Sequence, residues 1–194
     1  MGKFLHRLLH IIHSVYYWIL FVFVKNNKRF QLDLRRWSEW KSCPYKTIYM
    51  QFVFMMSEYQ EFRNICYLRM GKVHYLLQWL SPPLDSLNID VKDIGGGFLV
   101  QHGFSTTVGA VKIGENFKLF QQVTIGYNGD KKPVIGDNVE ICCGAKVLGG
   151  IHIGNNAVIG AQALVIHDVP ENAVVGAPLP KIIYYKTKNE ESSS

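Results

Sequence analysis

Aliphatic residues recur every six positions through the second half of the chain. The spacing is six from Ile113 to Ile125 and again from Ile135 to Val165, with one gap of ten between the two runs. Helices repeat near 3.6 residues and strands near 2, so neither element alone explains this period. A fixed short period indicates one structural unit stacked many times. The aliphatic positions are Ile113, Leu119, Ile125, Ile135, Ile141, Val147, Ile153, Ile159 and Val165.

A six-residue unit suits one side of a triangular coil, in which a short strand points one aliphatic residue to the axis. Glycine follows several of the aliphatic residues, as at Ile135 and Ile159, where it can relieve strain at a tight corner. The six-residue spacing also occurs upstream, between Ile94 and Val100, but one extra residue separates this pair from the series that begins at Ile113. Three sides of six residues make one coil, so this region predicts roughly four to five coils.

The N-terminal region predicts an amphipathic helix that becomes apolar on all sides over residues 15–24. This apolar run is shorter than the roughly 20 residues that span a membrane. We expect a helix that lies on a membrane surface or packs against a partner; a membrane anchor and a signal peptide are the alternatives. The apolar stripe consists of Leu5, Leu8, Leu9, Ile12, Val15, Tyr16, Ile19 and Phe23.

The central part of the chain separates this helix from the repeats. Residues 25–36 are polar and basic, which predicts a loop or solvated turn. Residues 47–80 predict helix, in which Glu61 is expected to pair with Arg63 or Arg69, and the following Pro82 ends it. The predicted divisions are a basic and apolar segment at 1–46, a helical region at 47–83, a β domain at 84–181 and a polar tail at 182–194.

Charge is concentrated at the N-terminus. Residues 1–48 hold nine lysine and arginine residues against two acidic residues, a balance of +7, while the whole chain is +6. Basic residues beside aromatic ones favour an anionic membrane surface, and no nucleic-acid-binding motif is present. The four cysteines form no CxxC pair and no His or Cys cluster occurs. We therefore expect no metal and a reduced cytoplasmic protein, peripheral to the inner face of the cell membrane.

The repeat and three further motifs resemble the hexapeptide-repeat acyltransferases. The motifs are Gln101-His102-Gly103, the loop after Ile125 and Val175-Gly176-Ala177-Pro178. They are most similar to the serine acetyltransferase branch and its relatives that O-acetylate sugars of bacterial polysaccharides. The resemblance covers residues 84–181 and implies a left-handed parallel β-helix preceded by an N-terminal α-helical region. It also implies a homotrimer with acetyl-CoA as co-substrate.

His102 is the expected catalytic residue. Acetyl transfer to a hydroxyl needs a base, and an imidazole can accept a proton at neutral pH. In the family that it resembles, a histidine at this place is that base. A base usually needs an acceptor on its other ring nitrogen. Asp90 is the first candidate for this role and Asp85 the second, and a backbone carbonyl stays open.

Acceptor recognition is where the chain departs from serine acetyltransferases. In that branch an acid that binds the amine of serine precedes the histidine, and Arg-His-Pro ends the loop. Here these places hold Gln101 and Lys131-Lys132-Pro133. A neutral glutamine supplies no counter-charge for an ammonium group. We therefore expect a sugar hydroxyl in surface polysaccharide synthesis as acceptor; serine, for cysteine biosynthesis, and a non-catalytic trimeric scaffold are the alternatives.

The resemblance also implies where the donor binds. Coenzyme A is expected in a groove between two adjacent β-helices, lined by small residues that leave backbone groups accessible. A basic residue after the last repeat is expected to face its phosphates, and a backbone amide near the loop, at Gly126 or Tyr127, to polarise the thioester oxygen. The expected donor-binding residues are Gly126, Gly144, Ala145, Gly160, Ala161 and Lys181.

Overall fold

The computed structural model describes residues 15–179 and residue 181. Within them, helices come first and short strands follow, as the sequence predicts. The stripe residues before Val15 and the predicted tail at 182–194 lie outside the described residues. The helices are α1 (residues 15–24), α2 (Lys28–Trp40), α3 (Ile48–Glu58) and α4 (Gln60–Met70), followed by 3-10 segments at Gly71–Leu76 and Gln78–Leu80.

Every described strand is two to four residues long, as a side of a small triangular coil requires. The strands are β1 (Leu87–Asp90), β2 (Asp93–Ile94), β3 (Leu99–Val100), β4 (Thr106–Gly109), β5 (Lys112–Ile113), β6 (Lys118–Leu119), β7 (Thr124–Gly126), β8 (Val134–Ile135), β9 (Glu140–Ile141), β10 (Lys146–Leu148), β11 (His152–Ile153), β12 (Val158–Ile159), β13 (Leu164–Val165) and β14 (Val174–Val175).

The strands form three parallel sheets that enclose one axis. The first sheet has the order β1-β4-β7-β10-β13, the second β2-β5-β8-β11 and the third β3-β6-β9-β12-β14. Because successive strands fall in successive sheets, the chain makes one coil every three strands, and about five coils result. Every predicted axis residue from Ile94 to Val165 is at most 4% exposed. The predicted β-helix with N-terminal helices is confirmed.

An asparagine ladder runs along the corner between the second and third sheets. The side-chain amides of Asn116, Asn138 and Asn156 each donate to the next asparagine, at 3.1, 3.0 and 2.9 Å, and Asn172 ends the series. All four have a positive φ between 55° and 60°, a conformation that asparagine tolerates better than most residues. The ladder stabilises the corner at the same step in successive coils.

Helix α1 has one packed face and one exposed face, and both are apolar. Leu20 and Val24 are fully buried, and the Phe21 ring centroid lies 5.3 Å from that of Phe52 in α3. No helix of the described chain is both long and apolar enough to cross a membrane. The exposed face carries Val15, Trp18, Ile19, Val22 and Phe23, which are between 38% and 59% exposed.

Helix α2 lies where the sequence predicted a loop or solvated turn, so that prediction is wrong. Phe30, Leu34 and Trp37 recur at helical spacing and are at most 2% exposed. The Asn27 side chain caps the helix by accepting from the backbone N–H groups of Arg29 and Phe30. Lys28, Arg29 and Arg35 are exposed, and the density of basic residues conceals the apolar stripe in the sequence.

A buried ion pair between Asp33 and Arg69 docks α2 and α4 on the first coil. The Asp33 carboxylate accepts from Arg69 Nε at 2.7 Å and from the Phe98 backbone N–H at 2.8 Å. Arg69 also donates to the carbonyl oxygens of Ile94 and Gly95. Burial raises the pKa of Asp33, and the hydrogen bonds from Arg69 oppose that rise. The pair therefore joins two helices and one coil in a single hydrogen-bonded cluster.

Replacement of Asp33 by asparagine tests this docking. Asp33→Asn leaves the Arg69 guanidinium buried without its counter-charge, so the free energy of unfolding should fall by about 3–5 kcal/mol. Urea denaturation followed by circular dichroism measures the change. Glu39→Gln is the matched control, because it breaks the exposed 3.0 Å pair with Arg35 in the same helix and should cost less than about 1 kcal/mol. Equal losses in the two variants would contradict the docking role.

Candidate active site

His102 lies in an extended corner between the third and first sheets. Val100 pairs with Leu119 and Val108 with Ile125. In the first coil Val100 and Val108 are eight positions apart, whereas their partners Leu119 and Ile125 in the next coil are six apart. The corner of the first coil therefore holds two additional residues. The next side is one residue short, because Val108 and Ile113 are five apart, which accounts for the single extra residue that the sequence indicates.

The extended corner presents an exposed imidazole. His102 has a φ of 55°, and its carbonyl accepts from the Phe104 backbone N–H at 2.8 Å. No residue between 15 and 179 hydrogen-bonds its ring. The sequence-predicted base is thus held by a tight backbone turn, with both ring nitrogens available to a substrate or a neighbouring group.

Gly103 packs the corner against the first coil and α4. A Cβ atom on Gly103 would lie 2.7 Å from Val100 Cγ1 and 3.0 Å from Leu87 Cδ2, so only glycine fits without movement. The same position is 3.5 Å from Glu61 Cγ. The first turn of α4 therefore borders the corner that carries His102.

Glu61 does not form either expected ion pair. Arg69 is taken by Asp33, and Arg63 donates to the backbone carbonyls of Met56, Ser57 and Pro82. The sequence predicted an ion pair for Glu61 with one of these arginines. The fold instead places Glu61 beside the corner that carries the candidate base. An acidic residue in the first turn of a helix is ordinary, so the sequence carried no signal for this position.

Asp90, the first candidate to orient His102, lies elsewhere. It ends β1 and accepts from Lys132 Nζ at 2.7 Å, and this hydrogen bond lowers its pKa. Its carboxylate is at the corner between the first and second sheets, whereas His102 is at the corner between the third and first. A strand of four residues separates these corners by roughly 10 Å or more. The prediction that Asp90 orients His102 in the same chain is therefore wrong.

The loop between β7 and β8 folds back along the β-helix as a compact turn. Asn128 N–H donates to the Lys131 carbonyl at 3.2 Å, and Gly129 between them has a φ of 67°. Lys131 packs over Gly150, and Lys132 passes Gly109 to reach Asp90. The predicted ten-residue gap is thus a loop, and it carries its two lysines on the corner between the first and second sheets.

The candidate site residues occupy two edges of the prism. We call the corner column of the third and first sheets the His102 edge; it holds Gln101, His102, Gly144, Gly160 and Ala161. The corner column of the first and second sheets is the loop edge; it holds Asp90, Gly126, Lys131 and Lys132. A single chain therefore brings Gln101 and His102 together but keeps them apart from the lysines that were predicted to share the acceptor site.

Four of the six predicted donor-binding residues are exposed or half-buried, but Gly144 and Ala145 are buried, and the Gln162 side chain covers Gly144. Ala161 is exposed, and Gly126 has nothing within 4 Å of an added Cβ. Lys181 is exposed after β14. Ala145 is fully buried. Its backbone N–H donates to the Cys142 carbonyl, and its carbonyl accepts from the Thr124 backbone N–H. Ala145 therefore faces the core and cannot line a groove, which corrects that prediction.

Part of the β-helix matches a known family, and the chain is similar to serine acetyltransferases over the repeats. Residues 132–167 match the family described as bacterial transferase hexapeptide (six repeats). A serine acetyltransferase of Bacillus licheniformis is 46% identical over 91 residues, which are 44% of this chain and 42% of the relative. One from Staphylococcus aureus is 43% identical over 91 residues, 44% of this chain and 43% of the relative. The chain thus spans less than half the length of these curated relatives.

Solved structures are similar over more of the chain. Serine acetyltransferase isoform 3 of Entamoeba histolytica, solved with cysteine, has a TM-score of 0.63 at 23% identity, over 84% of this chain and 62% of that one. This likeness shows the fold. The serine acetyltransferase of Neisseria gonorrhoeae, solved with serine, has a TM-score of 0.59 at 28% identity, over 78% of this chain and 66% of that one. The resemblance to hexapeptide-repeat acyltransferases of the serine acetyltransferase branch is confirmed.

Proposed function

We propose that this protein is an acetyl-CoA-dependent O-acetyltransferase with His102 as its general base. The observation that carries the proposal is an exposed imidazole on the extended corner of a β-helix whose relatives are serine acetyltransferases. His102 removes the proton of an acceptor hydroxyl while the hydroxyl oxygen attacks the thioester carbonyl carbon. The carbon–sulfur bond then breaks, and the imidazolium returns the proton to the departing thiolate.

Serine is the acceptor that the comparisons favour. The curated relatives with 43–46% identity over the repeat domain carry that name, and they support serine better than a sugar of surface polysaccharide synthesis. The sugar stays the second candidate because of one observation. Gln101 is neutral, and the charge of Lys132 is engaged by Asp90, so the site lacks two of the charges that the zwitterion of serine would use.

We infer that the working site forms between copies of the chain. His102 and the loop lysines lie on different edges of one β-helix, so a groove between two parallel β-helices would bring the His102 edge of one copy to the loop edge of the next. A homotrimer closes this arrangement into three equivalent grooves. Gly160 and Ala161 place little side-chain volume on the first edge, and Gly126 is open on the second, so the groove can admit the pantetheine arm of coenzyme A.

The proposed reaction is tested by steady-state kinetics with acetyl-CoA and a panel of acceptors. We expect serine to be turned over faster than sugars, and His102→Ala to lower kcat by about 10²–10⁴, the usual contribution of a general base. Glu115→Ala is the control, since Glu115 is exposed at the corner between the second and third sheets, away from both edges, and should keep wild-type kcat.

Each alternative gives a distinct result in the same assay. Faster turnover of a sugar would make the second candidate acceptor the better one. A His102→Ala variant with half of the wild-type kcat would contradict the role of His102, and the absence of turnover with every acceptor would support a non-catalytic scaffold.

We also propose that the protein works at an anionic membrane surface. The support is the exposed apolar face of α1, in which Trp18 and Phe23 are 59% and 54% exposed, with Lys25 and Lys28 exposed directly after it. Aromatic side chains favour the interface of a bilayer, and basic residues near it are attracted to acidic lipids. The excess of +7 within residues 1–48 adds to this attraction.

Vesicle flotation of the full chain tests the membrane proposal. Binding should require acidic lipid, weaken with salt because the attraction is screened, and fall at least about tenfold in Trp18→Ser/Phe23→Ser, which loses apolar burial. Leu164→Ser is the control, because Leu164 is 61% exposed on the β-helix instead. If the wild-type chain stays unbound in every lipid mixture, the membrane proposal is wrong.

A further inference from the structure

The proposed base lacks an orienting partner where the sequence predicted one. A neutral imidazole carries its proton on either nitrogen, and a hydrogen bond at one nitrogen decides which tautomer is present. Asp90 is engaged by Lys132 on the loop edge, so it does not serve His102 of its own chain. Within one chain, a partner can come only from the elements that border the His102 corner.

Glu61 is the carboxylate that packs against this corner. Its Cγ lies 3.5 Å from the Cβ position of Gly103, the residue next to His102. The carboxylate is one bond further out on a half-buried side chain, and no residue of the described ranges donates a hydrogen bond to it. Its oxygens therefore keep free acceptor sites, and a ring N–H of His102 can donate to one of them.

The surroundings of Glu61 leave it available for this contact. Lys41 is a cation that interacts with Glu61, and its ammonium lies 3.7 Å from the Trp40 ring centroid and 4.6 Å from that of Tyr59. Lys41 and Glu61 attract each other but do not approach within ion-pair distance. The aromatic rings hold Lys41, so its ammonium does not occupy the oxygens of Glu61.

Asp85 is the other carboxylate on this side of the β-helix. It lies in the exposed turn before β1, where Ser86 accepts from the Thr106 backbone N–H. Unlike Glu61, Asp85 is solvent-exposed and does not pack on Gly103. Holding an exposed side chain in one geometry costs more conformational entropy than using one that is already packed. The observations therefore favour Glu61.

We propose that Glu61 is the positioning residue of His102. Its carboxylate accepts the N–H of one ring nitrogen and so leaves the other nitrogen unprotonated, ready to take the proton of the acceptor hydroxyl. The role of His102 in this statement rests on the proposed function, whereas the contact between Glu61 and His102 does not. Catalytic hydrogen bonds of this kind are often long in the free enzyme and shorten when the substrate binds.

Nitrogen NMR of the full-length trimer labelled with ¹⁵N-histidine tests the contact directly. At a pH where the ring is neutral, wild-type His102 should show one protonated and one unprotonated nitrogen, as a single tautomer does. In Glu61→Ala the two shifts should move toward each other as the tautomers mix. The signals of His102 are those that His102→Gln removes, and circular dichroism confirms that the variants fold.

Two matched variants make the result specific. Asp85→Ala removes the competing carboxylate, and Glu58→Ala removes an exposed glutamate of the same helical region; both should keep the wild-type spectrum. A Glu61→Ala spectrum identical to wild type, mixed tautomers in the wild-type protein, or a change in Asp85→Ala alone would each overturn the proposal. Glu61→Gln provides a variant of the same size if Glu61→Ala folds poorly.

Kinetics separate positioning from acceptor binding. Glu61→Ala should lower kcat at least about tenfold, because part of the base is in the wrong tautomer, and leave the KM for the acceptor within about twofold. A raised acceptor KM at unchanged kcat would assign Glu61 to acceptor binding and overturn the positioning role. If the wild-type protein transfers no acetyl group, the proposed function fails, while the tautomer comparison still decides the contact.

Discussion

The buried pair of Asp33 and Arg69 is the constraint on which the arrangement of this protein depends. It places two opposite charges at the junction of α2, α4 and the first coil, with side chains 0% and 4% exposed. Such charges are tolerated only when their hydrogen bonds are satisfied, and here the backbone of residues 94–98 completes them. The orientation of α4 on the β-helix is therefore fixed at the end that carries Arg69.

Because α4 also carries Glu61, the docking of this helix by Asp33 and Arg69 affects the candidate site. Glu61 and Arg69 are eight residues apart on one helix, about 12 Å along its axis. A helix anchored at Arg69 therefore places Glu61 at a defined position beside Gly103 and His102. The same first coil holds the extended corner, so helix docking, the glycine contact and the exposed imidazole belong to one rigid unit.

Periodicity predicted the β-helix because its cause is local and repeats: each coil buries the same kind of residue at the same step. Positions such as Ile113 and Ile159 could be placed on the axis from spacing alone. The loop after Gly126 was also predictable, since residues added to a fixed repeat must leave the stack. His102 was found through its motif, and the two additional residues of its corner explain why the motif interrupts the repeat.

The errors have separate origins. Asp90 was chosen for its nearness in sequence, but a triangular coil sends it to another corner. Ala145 reads as a small groove residue, yet the pleat turns it inward, where it is 0% exposed. Helix α2 was missed because its buried Asp33 is polar and is stabilised by Arg69, 36 positions away.

In the proposed trimer, catalysis needs the His102 edge of one copy and the loop edge of another. This requirement is tested by co-expressing differently tagged chains that carry His102→Ala or Lys131→Ala/Lys132→Ala and purifying the mixed trimers. Each variant alone should have little activity. A mixed trimer has one groove with both edges intact, so about a third of the wild-type kcat should return. Mixed trimers no more active than the separate variants would contradict the account.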